Sequence, residues 1–370
     1  MARLSALTLR RLCLPLIVPY RLSYRTFNEF EPYLIEATDD GGRTGFADGH
    51  ISPGSSAETR DGGWAFILDH IPKMLGKDLA AAKAAVLEHF EDSKVATTAL
   101  ACAVEALERH PLLDVSQPAV LPLLTPINAL DQAAIEKEIE AWLDKGFRAF
   151  KVKVGKDVAA DLERVAAIQR VAAGRATLRL DANRAFDRDQ GMRFASALDP
   201  AGIELFEQPC DSDDWDANSA VASVSTVPLM LDEPICTLAD IERAGGIAGV
   251  RFCKLKLKRF GSLERLHEGL VRVRDCGMEP VLGDGLGSEV QGWLEACVAR
   301  TTIRNAGEFN GFLKSKEHLL DPPLTFAGGS LHLPQGYNPT LDSAAIERFT
   351  TRKLEFRFEH GCVKELSDAS

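Results

Sequence analysis

From Val120 onward, short apolar runs that close on a polar side chain alternate with amphipathic stretches, and this alternation constrains the fold more than any other feature of the chain. The runs LPLLT, FKVKVG, LRLDAN, IELFEQP, PLMLDEP, FCKLKLK and PVLGDG are followed in turn by helical patterns at 130–145, 157–172, 187–198, 213–222, 238–245, 262–275 and 289–300. Strand and helix alternating at this pace predict a parallel sheet. The side chains closing successive strands are Lys153, Asp181, Glu207, Asp232, Lys256, Asp284 and Glu308, and subtraction gives steps of 28, 26, 25, 24, 28 and 24 residues. With Thr125 counted first there are eight such ends, the strand number of a closed (β/α)8-type barrel. An open doubly wound sheet requires no such number, and no glycine-rich phosphate loop follows the first strand.

In such a barrel the strand C-termini open on one mouth, where active sites lie. Seven consecutive ends here carry ionisable groups where a purely structural barrel would place apolar or small ones, which predicts an enzyme. Asp181, Glu207 and Asp232 come from the third, fourth and fifth strands. Three carboxylates brought together repel unless a hard divalent cation neutralises them, and oxygen-only ligation suits Mg²⁺, with Mn²⁺ as a substitute, better than zinc. Lys151 and Lys153 share one face of the second strand, because strand side chains alternate. On an enclosed face each ammonium lowers the pKa of the other, and one becomes a base near neutral pH.

Lys256, from the sixth strand, stands across the mouth from that pair. A small carboxylate substrate on the cation would hold its α-carbon between two amines, which permits 1,1-proton transfer, β-elimination or cycloisomerisation. Lys254 and Lys258 share the alternation of Lys256, so spacing alone does not choose among the three. Lys254, if it faces inward, is deeper and needs a partner; Lys258 lies past the strand end. A metal-free Schiff-base aldolase using Lys153 or Lys256 is the reading of another class, separable by its insensitivity to chelators.

The first part of the chain has a different texture. Residues 4–50 read as a β-meander, with an Asp39-Asp40-Gly41-Gly42 hairpin turn between Tyr33–Thr38 and Arg43–Ala47. Between its strands, 20–31 reads as a long polar and aromatic loop, a candidate lid carrying Arg21, Tyr24 and Arg25. Helical spacing follows, ending in the small, apolar stretch Ala96 to Glu108, and prolines at 111, 118 and 122 mark a linker. The expected organisation is an α+β capping domain at 1–118, a catalytic barrel at 119–325 and a C-terminal segment at 326–370 that packs back on the cap.

The formal charge of −11, from 43 basic and 54 acidic residues, argues against a nucleic-acid partner held by general electrostatics. Eight scattered cysteines without a CxxC or zinc spacing read as reduced thiols of a cytoplasmic protein. Arg3, Arg10 and Arg11 precede a short apolar run, but Pro15 and Pro19 interrupt it, so it reads as an opening strand rather than a signal peptide. No run of 18 apolar residues predicts a membrane span.

The Lys151-x-Lys153 pair, Asp181-x-Asn183, Glu207-Gln208-Pro209, Asp232-Glu233 and Lys256, in this order and spacing, resemble the enolase superfamily, closest to its muconate-lactonizing subgroup of muconate cycloisomerases, dipeptide epimerases and N-acylamino acid racemases. The resemblance spans nearly the whole chain and implies a modified (β/α)7β TIM-type barrel with an N-terminal α+β capping domain completed by the C-terminal tail. It implies Asp181, Glu207 and Asp232 as Mg²⁺ ligands, Lys153 and Lys256 as opposed acid and base, Lys151 as modulator of Lys153, and Asn183 and Glu233 as supports. Lys256 is chosen over Lys254 and Lys258 because it stands five residues before Gly261, as the subgroup's lysine does. The implied reaction is racemisation, epimerisation or cycloisomerisation, with dehydration of a hydroxy acid or hydroxyproline-like substrate as the alternative. The family also implies a homo-oligomer. Substrate contacts are expected from Asp284, Ser288, Glu308, Tyr24 and Arg25. The chain departs from the subgroup at Ala47-Asp48-Gly49, Phe260-Gly261-Ser262 and Asp284 to Ser288, where the role of Asp284 stays open.

Overall fold

The computed structural model describes residues 2–21, 26–53 and 56–366, the side chain of Arg21 excepted. Seven parallel strands form one sheet in chain order: Thr125–Ile127, Ala149–Lys153, Thr177–Asp181, Ile203–Glu207, Leu229–Leu231, Val250–Leu255 and Glu279–Leu282. Residues 306–308 close the eighth side without regular strand structure. There the Glu308 N–H donates to Leu282 O at 2.9 Å, the Gly307 N–H to Pro122 O at 2.8 Å and the Leu124 N–H to Gly307 O at 3.1 Å. The expected (β/α)7β barrel is therefore present. Its helices begin at Asp131, Asp157, Asp187, Asp214, Thr237, Ser262 and Ser288, whose side chains each accept a backbone N–H of the first turn. These caps satisfy donors that a helix start leaves bare and so fix where each connection ends.

Inside the barrel, side chains stack in layers two residues apart. The floor is apolar, with Leu205, Met230 and Val281 against Phe252, and Leu124, Ala149 and Ala306 beside them. Arg179 is the exception. It is 1% exposed and crosses from the third strand to the eighth side, where its Nη1 donates to Ala306 O at 2.8 Å while Nε holds Glu204 Oε2 at 2.9 Å. Two residues further along, the layer becomes ionic, with Lys151, Asp181, Glu207, Asp232, Lys254 and Glu308 all buried.

Over the mouth sits an antiparallel sheet of Cys362–Leu366, Thr350–Glu359, Leu4–Leu12, Tyr33–Asp39 and Thr44–Gly49, with helices Arg60–Met74, Leu79–Leu87 and Lys94–Leu107. The small-residue helix lies so close to the sheet that a Cβ on Gly45 would stand 2.0 Å from Leu107 N, a distance only glycine tolerates. The C-terminal residues reach this sheet in two stages. Ser330–Leu333 first pairs with Ala119–Pro122, and Thr350–Glu359 then pairs with Leu4–Leu12.

The stretch expected as a loop at 20–31 is largely a hairpin, in which Leu14–Arg21 pairs with Thr26–Phe30. Aromatic burial holds it in place, because Phe27 and Phe30 pack against each other, His50 and, for Phe30, Tyr20. Tyr24 and Arg25 lie outside the described residues. All eight cysteines are free, four of them buried. Among the described residues no helix is long and apolar enough to cross a membrane.

Candidate active site

Between the ionic layer and the cap lies a cavity of about 390 Å³. Lys151, Lys153, Asp181, Asp232, Lys254, Lys256, Asp284 and Glu308 line it from the barrel, and Tyr20, Ser52 and Glu58 from the cap. Glu207 lies just below its wall, within reach of the two deep lysines.

Lys151 Nζ sits 2.8 Å from Asp181 Oδ2, 2.8 Å from Glu207 Oε2 and 2.7 Å from Glu308 Oε1. Burial alone would push this ammonium down, but the three carboxylates outweigh it and hold the group well above the ordinary lysine value. Lys151 is thus a fixed cation, the reverse of the mutual lowering expected from two lysines on one face. Lys153 is half-exposed and stands 2.5 Å from Asp181 Oδ2. Asn183 accepts a second bond from Lys153 Nζ, and its own N–H donates to Asp181 Oδ1 at 2.9 Å from a left-handed backbone at φ 45°. That strained conformation turns the side chain back over the amine.

Across the cavity, Lys256 Nζ lies 2.9 Å from Asp232 Oδ2. Burial works against its charge and Asp232 outweighs it, so the ammonium is raised. The sixth strand stops at Leu255, one residue earlier than expected, and Lys256 opens the one-turn helix Leu257–Phe260. That turn carries Arg259 back onto Asp232, where it bonds both a carboxylate oxygen and the carbonyl. Arg259 was not anticipated; its place one turn after Lys256 was the available signal.

Lys254 does face inward and has its partners. It is 2% exposed, donates to Glu207 Oε1 at 3.1 Å and bonds Glu308 Oε2. Lys258 pairs with Asp284 at the rim, which gives that acid a partner. Burial raises Asp284, and Lys258 and Lys256 reverse this, so its carboxyl stays well below the usual range. Ser288 does not line the cavity; it caps helix Glu289–Thr302 through Val290 N–H at 3.0 Å. Glu233 does line it, with Oε2 buried and lacking a hydrogen-bond partner.

The ionic layer suits a hard divalent cation. Its two lysines and four carboxylates leave a formal charge of −2, by 2 minus 4 over the residues named above. Glu207 is pushed up to about 7 by burial and then by Asp181, despite two lysine neighbours. Its Oε2 lies 2.8 Å from Lys151 Nζ but makes no hydrogen bond. An under-compensated carboxylate flanked by two more, all oxygen donors, could hold Mg²⁺ through Asp181, Glu207 and Asp232. A separate trio, Glu105, His110 and Glu264, has ligand atoms within 4.8 Å of one another. None of the three lines the cavity, and Lys83 already lies 3.5 Å from Glu105 and 3.7 Å from Glu264.

Residues 134–338 match the family model described as enolase C-terminal domain-like, and the chain belongs to that family. Among its relatives is the L-Ala-D/L-Glu epimerase of Bacillus subtilis, 24% identical, with 88% of this chain and 92% of the relative covered. The N-succinylamino acid racemase of Amycolatopsis sp. is 28% identical, covering 95% and 99%. The muconate lactonizing enzyme of Pseudomonas fluorescens, solved with muconolactone, superposes with a TM-score of 0.84 at 22% identity over 94% of this chain and 99% of that one. The chain is accordingly an enzyme of the enolase superfamily, of the muconate-lactonizing type, with homologues named as isomerases.

Proposed function

We propose that this enzyme removes the proton α to the carboxylate of a small substrate and completes a racemisation, epimerisation or cycloisomerisation. The observation that carries the reading is the placement of Lys153 and Lys256, each on a different acid, on opposite sides of one cavity. In a two-base sequence Lys153 would take the α-proton from one face of the substrate, forming the enediolate. The Lys256 ammonium, kept charged by Asp232, would return a proton to the other face. In a cycloisomerisation one amine suffices, and the second holds the substrate by charge. Asp181, Glu207 and Asp232 are the residues that would hold the cation, which when bound supplies electrostatic stabilisation of the charge growing on the substrate carboxylate. Lys151 supports this arrangement by fixing Asp181 and Glu207. The names of relatives favour acyl amino acids, dipeptides and muconates as substrates to try first.

The test is exchange of substrate α-protons in deuterated water over such a panel, followed by proton NMR. Exchange that needs Mg²⁺ and disappears in both Lys153→Ala and Lys256→Ala supports the reading. Turnover that survives exhaustive chelation, with borohydride trapping of substrate on Lys153, would establish the aldolase instead.

A further inference from the structure

Lys254 is the least exposed lysine in the mouth, and the proposed proton transfers leave it without a task. Its parity is set by the strand: Phe252, two residues earlier, packs with the apolar floor, so Lys254 rises into the ionic layer beside Glu207 and Asp232. Its Nζ joins two acids of different standing. Glu207, from the fourth strand, belongs to the trio that would hold a divalent cation, whereas Glu308, from the closing segment, does not. The ammonium donates to Glu207 Oε1 at 3.1 Å and bonds Glu308 Oε2, while Lys151 donates to Glu308 Oε1 at 2.7 Å and lies 2.8 Å from Glu207 Oε2. A divalent ion reaching Glu207 therefore meets Lys254 bonded to one of its oxygens and the Lys151 ammonium 2.8 Å from the other. Two cations on one carboxylate repel, and the buried setting strengthens that repulsion. Glu308 shares the Lys254 ammonium, which bonds both acids at once and so is only partly drawn off Glu207.

We propose that Lys254 is a positioning residue that weakens divalent-cation binding by keeping a positive charge on Glu207 Oε1, a charge it shares with Glu308. The inference rests on the reading of Asp181, Glu207 and Asp232 as the ligands. It assigns Glu308 the task of holding Lys254 rather than touching substrate.

The experiment measures Mn²⁺ binding to the full chain by the loss of the free-ion electron paramagnetic resonance signal, with circular dichroism to check folding. Lys254→Met is expected to bind Mn²⁺ at least about tenfold more tightly than the wild type, since removing one buried positive charge at this range exceeds that effect in energy. Glu308→Gln, which leaves Lys254 only Glu207, is expected to bind more weakly, and adding Lys254→Met to it should restore the lost affinity. A merely structural lysine would not tighten ion binding when removed. Unchanged or weaker binding in Lys254→Met overturns the inference, as it would if Glu207 answered the loss by taking up a proton instead. The same holds if the weakening in Glu308→Gln persists in the double variant. Mn²⁺ binding that survives Asp181→Asn and Asp232→Asn, or is absent from wild type and Lys254→Met alike, would instead overturn the ligand assignment beneath it.

Discussion

Lys153 and Lys256 face one cavity from opposite sides, the first 2.5 Å from Asp181 Oδ2 and the second 2.9 Å from Asp232 Oδ2. Because each amine rests on a separate acid, removing one leaves the other's setting intact. Lys153→Ala and Lys256→Ala are each expected to lower turnover by about 10²–10⁴, the usual worth of a general acid or base. Circular dichroism should stay that of the wild type. Wild-type rates in either variant would remove that residue from the mechanism.

The carboxylate layer predicts stabilisation by a cation. Mg²⁺ at a hundred times its dissociation constant should add about 2.7 kcal/mol to the folded state, read as a rise in Tm by scanning fluorimetry. Asp232→Asn should abolish most of that rise. A Tm indifferent to Mg²⁺ in the wild type would argue against a divalent site in the mouth.

Glu295, outside the cavity lining, predicts a pH dependence of stability. It is fully buried on helix Glu289–Thr302, where burial and then Asp284 push its carboxyl up to about 8 from 4.5, while Leu257 N–H donates to its Oε1 at 3.3 Å. A raised acid binds more protons folded than unfolded. Its favourable contribution is therefore complete below pH 4.5 and is lost as pH climbs through 8, at up to about 1.4 kcal/mol per pH unit. Glu295→Gln should flatten this fall in urea unfolding measured between those limits. An unchanged slope would show that Glu295 is not its source.

Gly283 marks the seam of the barrel. Its φ is +127°, and an added Cβ would stand 2.4 Å from Phe309 N in the closing segment. Gly283→Ala should cost at least about 1–3 kcal/mol from backbone strain alone, with a further penalty from the clash, by denaturant titration. A variant as stable as the wild type would mean the seam is slack.

The barrel and its ionic mouth were legible in the sequence because both are written in local periods. Strand parity put Asp181, Glu207, Asp232 and Lys151 on inward faces, and the 24 to 28 residue step set the strand number. Cap residues such as Asp131 and Asp187 fixed the helix starts from their own neighbours. The tertiary structure decided what depends on groups far apart in the chain. Lys254 and Lys256 read alike in sequence, yet Glu308, 54 residues beyond Lys254, holds it as a buried bridge, while the turn that Lys256 opens leaves that amine on Asp232. Lys151 became a fixed cation because three carboxylates from separate elements surround it, a sum of Coulomb forces that no local pattern contains.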